Sequence, residues 1–549
     1  MKKFSRQLFL LLAILTLAAS LRFWGITKAD VITDEALIGF RSIGYLDFFV
    51  SPYQTTPYEW FLVVPAWAKL SFHDHPPLTF ILQHLSFTVF GQNVFALRLP
   101  FVLAGIVSVY LLYLVSWQLF KRFDLALVGA LLVAVSCCQV WISRIGLQES
   151  LVILFSLLSV WLFLRSLEDN RHWLWGLSLG LAALIKYTAF ILLPVFFIYF
   201  LIYRRSVFRQ SKFWLTLLLM LVIFSPVLIY NFKMFQERGH FDLQFSYLFN
   251  QPVEEWQFLP GKIQAGSLAD RFGHLVPALF SNLMWPLFIV WAMSLIYFII
   301  RARHNPNVIF LFLIIIFELL SFLIIGPSKR FVAVVVPYII IFVAWFICQQ
   351  PRLLKRSLLA ILVSLELIFT INTLILPYPV GAENITYSNL KIESYQWGYK
   401  QLDDYLDSLL ADKYPAVSFV PRYQFLEDIK NQAIELAENQ GKESSQTLVI
   451  YDADMFDLAT LWLFHRRMIY QGWPIITAQD YLSQSKEFWQ EQGINDFYFF
   501  QLIDSQMLQQ PEIDRTSYSQ ELVGQIRDYL TRKIKRPDGR EVVAVYHWQ

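Results

Sequence analysis

Long apolar stretches dominate the first 376 residues and restrict the chain to a membrane fold. A transmembrane α-helix needs about 20 apolar residues. Apolar residues make up 56% of the chain and charged residues only 16%, against about 45–50% and 25% in soluble domains. The sequence therefore predicts a polytopic α-helical membrane protein with about eleven transmembrane helices. The predicted spans are 7–26, 98–119, 124–142, 147–166, 172–186, 188–203, 212–233, 277–301, 307–325, 331–350 and 354–376.

Basic residues near the span ends predict the orientation. Lysine and arginine concentrate in one set of loops, which the positive-inside rule assigns to the cytoplasm. That pattern requires the short apolar stretch 76–91, which opens with two prolines, to lie at the outer face as an interfacial or half-inserted helix. The N-terminus, which resembles an uncleaved signal anchor, is then cytoplasmic, and the C-terminus is external.

The composition changes after residue 376. Apolar runs shorten to strand length, and helical patterns lie between them. Strands that alternate with helices predict a small α/β domain with a mostly parallel sheet. We therefore predict a transmembrane domain, 1–376, and an extracytoplasmic domain, 377–549. The predicted strands are 417–420, 447–451, 497–500 and 541–546.

The first external loop, 27–97, with its interfacial helices, carries carboxylates at the membrane edge. Asp34 and Glu35 follow the first span closely. A carboxylate here can act as a general base, or bind a cation or sugar hydroxyls. Alternatively, Thr33 caps a helix over 34–49 whose first turn favours acids. The two interpretations are compatible, because a helix N-terminus fixes the orientation of a carboxylate.

The same loop contains His73, Asp74 and His75 ahead of a Pro-Pro pair. Two imidazoles and a carboxylate can ligate a metal ion, or they can form a polar turn that the prolines fix. A divalent metal cation is the one cofactor that the sequence leaves open. Asp34 and His75 are the residues expected to bind it.

Charged residues also mark the predicted outer ends of later spans. Arg144 and Glu149 flank one turn and can pair across it. Lys186 interrupts a long apolar stretch; a lysine at mid-bilayer costs several kcal/mol, so we place it at a turn, where it reaches the surface or contacts a phosphate. Lys329 and Arg330 break the positive-inside pattern, and a lipid phosphate is the simplest anion for them.

The order of these motifs resembles a known enzyme family. An Asp-Glu pair follows the first span, and His-Pro-Pro-Leu at 75–78, Arg-Leu-Pro at 98–100 and Ser-Arg-x-x-x-x-Glu at 143–149 come after it. A lysine between short helices and an Arg-Phe pair before a proline complete the series. The pattern resembles the GT-C superfamily of membrane glycosyltransferases, in particular the bacterial protein O-mannosyltransferase and aminoarabinose transferase-like group (glycosyltransferase families 39 and 83). A Trp-Gly-Tyr stretch at 397–399 resembles a further motif of that group.

The resemblance implies that the transmembrane domain is catalytic. It implies transfer of a sugar from a polyprenyl-phosphate donor to a hydroxyl of a protein, lipid or glycan, with inversion, at the outer face of the plasma (inner) membrane. Asp34 would be the base and Glu35 its acidic neighbour. Arg330, Lys186 and Lys329 would hold the donor phosphate.

Five further residues would shape the acceptor or sugar site or support it: His75, Asp74, Arg144, Glu149 and Arg98. This chain has Gly-Leu-Gln-Glu at 146–149, where some members of the family carry an aspartate or a longer Arg-Glu-Ala-Arg pattern. The roles of Arg144 and Glu149 therefore stay open.

A transporter or flippase of a lipid-linked or polar solute is the alternative. Such a protein would carry charges along a path through its spans. Apart from Glu318 and Glu366, the cores of the predicted spans are nearly free of them, and the acids gather on one side. The expected partners are the lipid donor, the bilayer and the acceptor. No nucleic-acid partner is indicated, and the oligomeric state stays open.

Overall fold

The computed structural model describes residues 2–45, 57–65, 69–169, 171–251, 266–390, 396–419, 424–504 and 517–549. The chain forms two compact units. The first comprises Met1–Ile26 and Tyr45–Ile392, and the second comprises Thr27–Gly44 and Glu393–Gln549.

Helices make up the first unit. The helices up to residue 376, of which α2 alone belongs to the second unit, are α1 Lys2–Phe23, α2 Thr33–Gly44, α3 Pro57–Trp60, α4 Leu78–Phe90, α5 Val94–Phe120, α6 Phe123–Val135, α7 Cys137–Ser143, α8 Glu149–Asp169, α9 Trp173–Ala183, α10 Leu192–Tyr203, α11 Ser211–Arg238, α12 Leu243–Leu248, α13 Leu268–Tyr297, α14 Pro306–Ile325, α15 Lys329–Val332, α16 Val336–Gln349 and α17 Arg352–Thr370.

The predicted polytopic helical fold is confirmed. Seven helices within the described residues are long and apolar enough to cross a membrane, and up to eight if the pair α6–α7, bent by 61°, counts as one span. The remaining predicted spans, and the stretch 76–91, coincide with shorter apolar helices of 10–17 residues. Every predicted span is therefore helical, whereas the count of eleven and the orientation stay predictions.

The bend between α6 and α7 has a polar partner inside the helical bundle. The Glu366 carboxylate accepts a hydrogen bond of 2.9 Å from the backbone N–H of Cys137, the first residue of α7. Breaking a helix exposes N–H groups that need acceptors. Glu366, one of the two acids that the sequence places in the cores of the spans, thus supplies an acceptor for the broken helix.

A sheet and its helices make up most of the second unit. Besides α2, its elements are α18 Tyr399–Leu410, β1 Lys413–Pro415, α19 Gln424–Asn439, β2 Glu443–Ser445, β3 Thr447–Tyr451, α20 Asp457–Thr460, α21 Arg466–Gln471, β4 Ile475–Thr477, α22 Ala478–Leu482, α23 Lys486–Glu491, β5 Asp496–Leu502, α24 Ser517–Ile526, β6 Leu530–Lys535 and β7 Glu541–Trp548. A π-helical turn, Leu461–His465, joins α20 to α21.

The five-stranded sheet has the order β4-β3-β5-β7-β6. Strand β3 runs parallel to β4 and β5, whereas β7 runs antiparallel to β5 and β6. The predicted α/β domain is confirmed, but its sheet is mixed because a terminal hairpin adds two antiparallel strands. The strand predicted from 417 lies earlier, at Lys413–Pro415, where it pairs with β2.

The two units divide the chain differently from the predicted boundary at residue 376. Residues 377–390 stay in the first unit, because the Asn372 side chain binds the backbone of Val380 and Thr386 and the Ser388 hydroxyl donates to the Ser281 carbonyl. Residues 27–44 belong to the second unit. Ile32 is buried in the core on one face of the five-stranded sheet.

Candidate functional site

A buried carboxylate in the first unit contacts two basic side chains. Glu149 Oε1 lies 2.7 Å from Lys186 Nζ and 3.4 Å from Arg330 Nε. The Glu149 side chain is 2% exposed, whereas those of Lys186 and Arg330 are 14% and 23% exposed. We call these three residues the Glu149 cluster. The two basic side chains are therefore less buried than the carboxylate that they contact.

Three separate elements bring the Glu149 cluster together. Glu149 opens α8, Lys186 lies between α9 and a short 3-10 turn, and Arg330 lies in α15. The Ser328 hydroxyl caps α15 by accepting from the backbone N–H of Phe331. The Lys186 ammonium lies 4.0 Å from the centroid of the Phe331 ring, a favourable cation–π distance. One aromatic ring and one carboxylate therefore fix the lysine.

Polar side chains also hold the backbone around Arg330. The Asn282 amide donates to the Lys329 carbonyl, and the Gln139 amide donates to the Ala333 carbonyl, each at 2.9 Å. Lys329, predicted to bind the donor phosphate with Arg330, donates through its ammonium to the Asn389 carbonyl at 3.0 Å. The structure thus gives Lys329 a backbone contact, and it gives Lys186 and Arg330 the shared carboxylate.

The sequence suggested that Glu149 pairs with Arg144. In the structure, Glu149 contacts Lys186 and Arg330 instead. The Arg144 guanidinium donates to the carbonyls of Leu21 and Trp24, and Arg98 donates to the carbonyl of Ile26 at 2.6 Å. The last carbonyls of a helix lack partners within it. Arg98 and Arg144 satisfy the carbonyls at and just beyond the end of α1.

The His-Asp-His motif forms a turn fixed by a distant segment of the first unit. The Asp74 carboxylate lies 2.9 Å from His75 Nδ1. The backbone carbonyls of His73 and Asp74 accept from the Leu243 N–H and the Gln244 side chain. The predicted polar turn is therefore present, and it is held by α12 as well as by the prolines.

Asp242 anchors that segment and was missed in the sequence. One carboxylate oxygen accepts from the N–H groups of Gln244 and Phe245, and the other accepts from the Tyr187 hydroxyl and the Asn231 amide. Burial raises the pKa of Asp242, although these hydrogen bonds act in the opposite direction. An acid directly before an apolar run is the N-cap signal that could have revealed it.

Asp34 and Glu35 lie in the first turn of α2 in the second unit, as the predicted helix required. Glu35 is buried. The predicted cap is different: the Thr33 hydroxyl is buried without a hydrogen-bond partner among the described residues, and Thr33 has φ 58°. The structure describes α2 to Gly44, and residues 46–49 of the predicted helix lie outside the described ranges.

The predicted metal ligands lie in different units, Asp34 in the second and His75 in the first. Within the described ranges, no group of three or more His, Cys, Asp or Glu side chains is arranged to hold a metal ion. A divalent cation therefore stays an expectation from the sequence.

Part of the first unit matches a family of sugar-transferring enzymes. Residues 74–230 match the family model described as dolichyl-phosphate-mannose-protein mannosyltransferase. The chain is 25% identical over 219 residues to YkcB and 29% identical over 143 residues to YycA, two candidate mannosyltransferases of Bacillus subtilis (strain 168). These matches cover 38% and 25% of this chain but only 29% and 21% of those proteins. The chain thus spans less than a third of the length of either relative.

Nearly the whole chain is similar in fold to a solved structure. ArnT from Cupriavidus metallidurans in the apo state aligns over 99% of this chain and 98% of its own, with a TM-score of 0.56 and 11% identity. The chain therefore has a fold similar to that of ArnT. ArnT bound to undecaprenyl phosphate aligns over 97% of both chains, with a TM-score of 0.55 and 12% identity. The predicted resemblance to GT-C membrane glycosyltransferases is confirmed, at the level of the fold and of the 74–230 match.

Proposed function

We propose that this protein is a membrane glycosyltransferase that moves a sugar from a polyprenyl-phosphate donor to an acceptor hydroxyl. The observation that carries the proposal is the Glu149 cluster, a partly exposed pair of cations on one carboxylate within a GT-C fold. The family description names a dolichyl-phosphate sugar, and ArnT with the same fold binds undecaprenyl phosphate. Both point to a lipid phosphate as the anion.

The Glu149 cluster has the chemistry of a phosphate site. Charge-assisted hydrogen bonds from arginine and lysine to phosphate are among the strongest in proteins. The Glu149 carboxylate contacts both cations and so holds them close to each other. We therefore reassign Glu149 from the acceptor side to the donor side, where it positions Lys186 and Arg330.

The proposed reaction is one displacement with inversion. Asp34 accepts the proton of the acceptor hydroxyl while that oxygen attacks the anomeric carbon of the sugar. The bond between that carbon and the phosphate oxygen breaks, and both of its electrons leave with the phosphate. Lys186 and Arg330 stabilise the departing anion, so no separate general acid is required. Glu35 neighbours the base, and Asp74 and His75 belong to the acceptor side.

Transfer of a radioactive sugar tests the proposal. Purified protein in lipid vesicles is given polyprenyl-phosphate mannose labelled in the sugar, together with membrane extract as the acceptor source. We expect Asp34→Asn to lower turnover about 100-fold or more and Arg330→Gln to weaken donor binding. Asp404→Asn, which changes an exposed carboxylate of the second unit, is the matched control. A repeat with chelator tests the cation.

Two results would overturn the proposal. Transfer by Asp34→Asn at the wild-type rate would remove Asp34 as the base. Movement of intact labelled donor across the bilayer, with no transfer to any acceptor, would favour the alternative of a lipid flippase. Other polyprenyl-phosphate sugars, tested in the same assay, identify which sugar is transferred.

A further inference from the structure

The segment that carries Asp34 is built into the second unit at both of its ends. Ile32 lies in the core of the sheet with Val449 and Leu463. Near the other end of α2, the Tyr470 hydroxyl donates to the Phe40 carbonyl at 2.8 Å, and the two rings lie 5.5 Å apart. Residues 27–44 therefore depend on residues more than 350 positions later in the chain.

Asp30 provides the first anchor. Its carboxylate is fully buried and accepts from the backbone N–H groups of Trp397 at 2.5 Å and Lys400 at 2.7 Å. The Lys400 N–H lies in the first turn of α18 and the Trp397 N–H lies two residues before that helix, so Asp30 acts as a cap supplied from a remote part of the chain. Gly398 lies between them with φ 112°, and a Cβ there would lie 2.6 Å from the Val542 side chain. Asp30 thus couples the approach to α2 to the frame of the sheet domain.

Tyr470, which holds the Phe40 carbonyl, is the second anchor, and ion pairs fix the helix on which it lies. It lies on α21, which begins with Arg466 and Arg467. Both guanidiniums lie 2.8 Å from the buried Asp403 carboxylate of α18, and both also contact Asp407. We call these four residues the Asp403 cluster. It locks α21 to α18, and so it fixes the helix that carries the Tyr470 hydroxyl.

Between the two anchors, the backbone is strained beside Asp34. Thr33 has φ 58°, a left-handed conformation that β-branched residues rarely adopt. Such a conformation costs about 1–3 kcal/mol and persists only where the surroundings enforce it. Asp30 lies three residues before Thr33, and the Phe40 carbonyl lies seven residues after it. The anchors therefore hold a conformation that sets the direction in which α2, and the carboxylate of Asp34, begin.

We propose that the C-terminal domain positions the catalytic base, Asp34, and that Asp30 and Tyr470 are the positioning residues. The inference rests on the proposed function in taking Asp34 as the base. It gives Trp397, Lys400 and Tyr470 of that domain a role in catalysis: through Asp30 and Phe40 they hold Thr33 in its strained conformation and so position Asp34.

Paired variants of the whole chain in lipid vesicles test whether the C-terminal domain positions Asp34. Tyr470→Phe removes the hydroxyl that holds Phe40, and Tyr546→Phe, its control, removes a hydroxyl that binds Gln501 in the sheet. We expect Tyr470→Phe to lower kcat about 10-fold with the donor KM unchanged. Hydrogen exchange of the amides of residues 33–44 should accelerate in Tyr470→Phe and not in Tyr546→Phe.

Asp30 allows a graded version of the same test. Asp30→Ala removes both acceptors and should lower kcat about 100-fold, whereas Asp30→Asn keeps one acceptor and should recover part of that loss. Asp480→Asn, which changes a capping box elsewhere in the same unit, is the control. If Asp30→Ala does not fold, Asp30→Asn and Tyr470→Phe carry the test.

The two proposals fail separately. Unchanged hydrogen exchange at 33–44 and unchanged kcat in folded Asp30 and Tyr470 variants would overturn the proposed positioning role of the C-terminal domain, even if Asp34→Asn is inactive. Faster exchange at 33–44 with full transfer by Asp34→Asn would overturn the assignment of the base and leave the anchoring in place. A uniform rise in exchange across the second unit, equal in the control variants, would mean that these residues serve stability alone.

Discussion

Each unit contains a buried carboxylate with two basic partners, and the two arrangements differ in exposure. In the Asp403 cluster, Asp403 and Asp407 contact two arginines whose side chains are only 3% and 1% exposed. In the Glu149 cluster, the carboxylate contacts two cationic side chains that are 14% and 23% exposed. The exposure of the cationic side chains distinguishes the structural cluster from the proposed phosphate site.

The largest effect is expected from breaking the closed cluster. Asp403→Asn leaves two buried guanidiniums with one partly exposed carboxylate, and removing one partner of a buried ion pair costs about 3–5 kcal/mol. The midpoint of urea unfolding of the second unit, followed by tryptophan fluorescence, measures this loss. Glu435→Gln, on the exposed face of α19, should leave the midpoint unchanged. Unchanged stability in Asp403→Asn would contradict a structural role for the cluster.

The equivalent change in the open cluster should affect catalysis more than folding. Glu149→Gln removes the carboxylate that holds Lys186 and Arg330 close to each other, and we expect turnover to fall about 100-fold. The partly exposed cations can reach water or phosphate, so the stability loss should be smaller than that of Asp403→Asn. Sugar transfer and urea unfolding measure the two effects. The reverse order of sensitivities would break the distinction between the clusters.

A smaller loss of stability of the second unit is expected at low pH. Burial alone would raise the pKa of Asp403, but the charges of Arg466 and Arg467 outweigh it and hold the pKa at about 2. In the unfolded chain, an aspartate has a pKa of about 3.9, so the folded state binds fewer protons. This stabilisation, on the order of 2 kcal/mol, is fully present above about pH 4 and is lost as the pH falls toward 2. Unfolding midpoints of wild type and Asp403→Asn should converge over that range.

The smallest effect is expected at the edge of the closed cluster. Asp407 is 56% exposed, and exposed ion pairs contribute about 0–1 kcal/mol. Asp407→Asn should therefore lower the stability of the second unit by less than about 1 kcal/mol, because Asp403 still partners both arginines. A loss as large as that of Asp403→Asn would show that the charge balance, and not the buried carboxylate, maintains the cluster.

The apolar pattern of the sequence was sufficient to predict the helices. Each predicted span coincides with a helix because about 20 apolar residues can satisfy their backbone only in that form. The stretch 76–91 coincides with α4. By contrast, the strand at Lys413–Pro415 was misplaced, since three-residue strands carry too little periodicity to locate.

The partners of the site residues could not be predicted. Glu149 has an obvious basic neighbour in sequence, Arg144, yet it contacts Lys186 and Arg330, which lie on other turns. Sequence spacing reveals which residues share an element, whereas contacts between elements depend on packing. For the same reason, the sequence did not reveal the hydrogen bond between Asp30 and Trp397, although both the first loop and the Trp-Gly-Tyr stretch carry recognisable motifs.

The long separation between α2 and its supports also determines when the proposed site can exist. The ribosome completes residues 27–44 about 350 residues before it reaches the end of the first unit, which at 5–20 residues per second is roughly 20–70 s. Throughout that interval, the hydrogen bonds of Asp30 to Trp397 and Lys400 and that of Phe40 to Tyr470 cannot form. Under the proposed anchoring, Asp34 therefore reaches its final position only after the ribosome has made the segment that carries Tyr470.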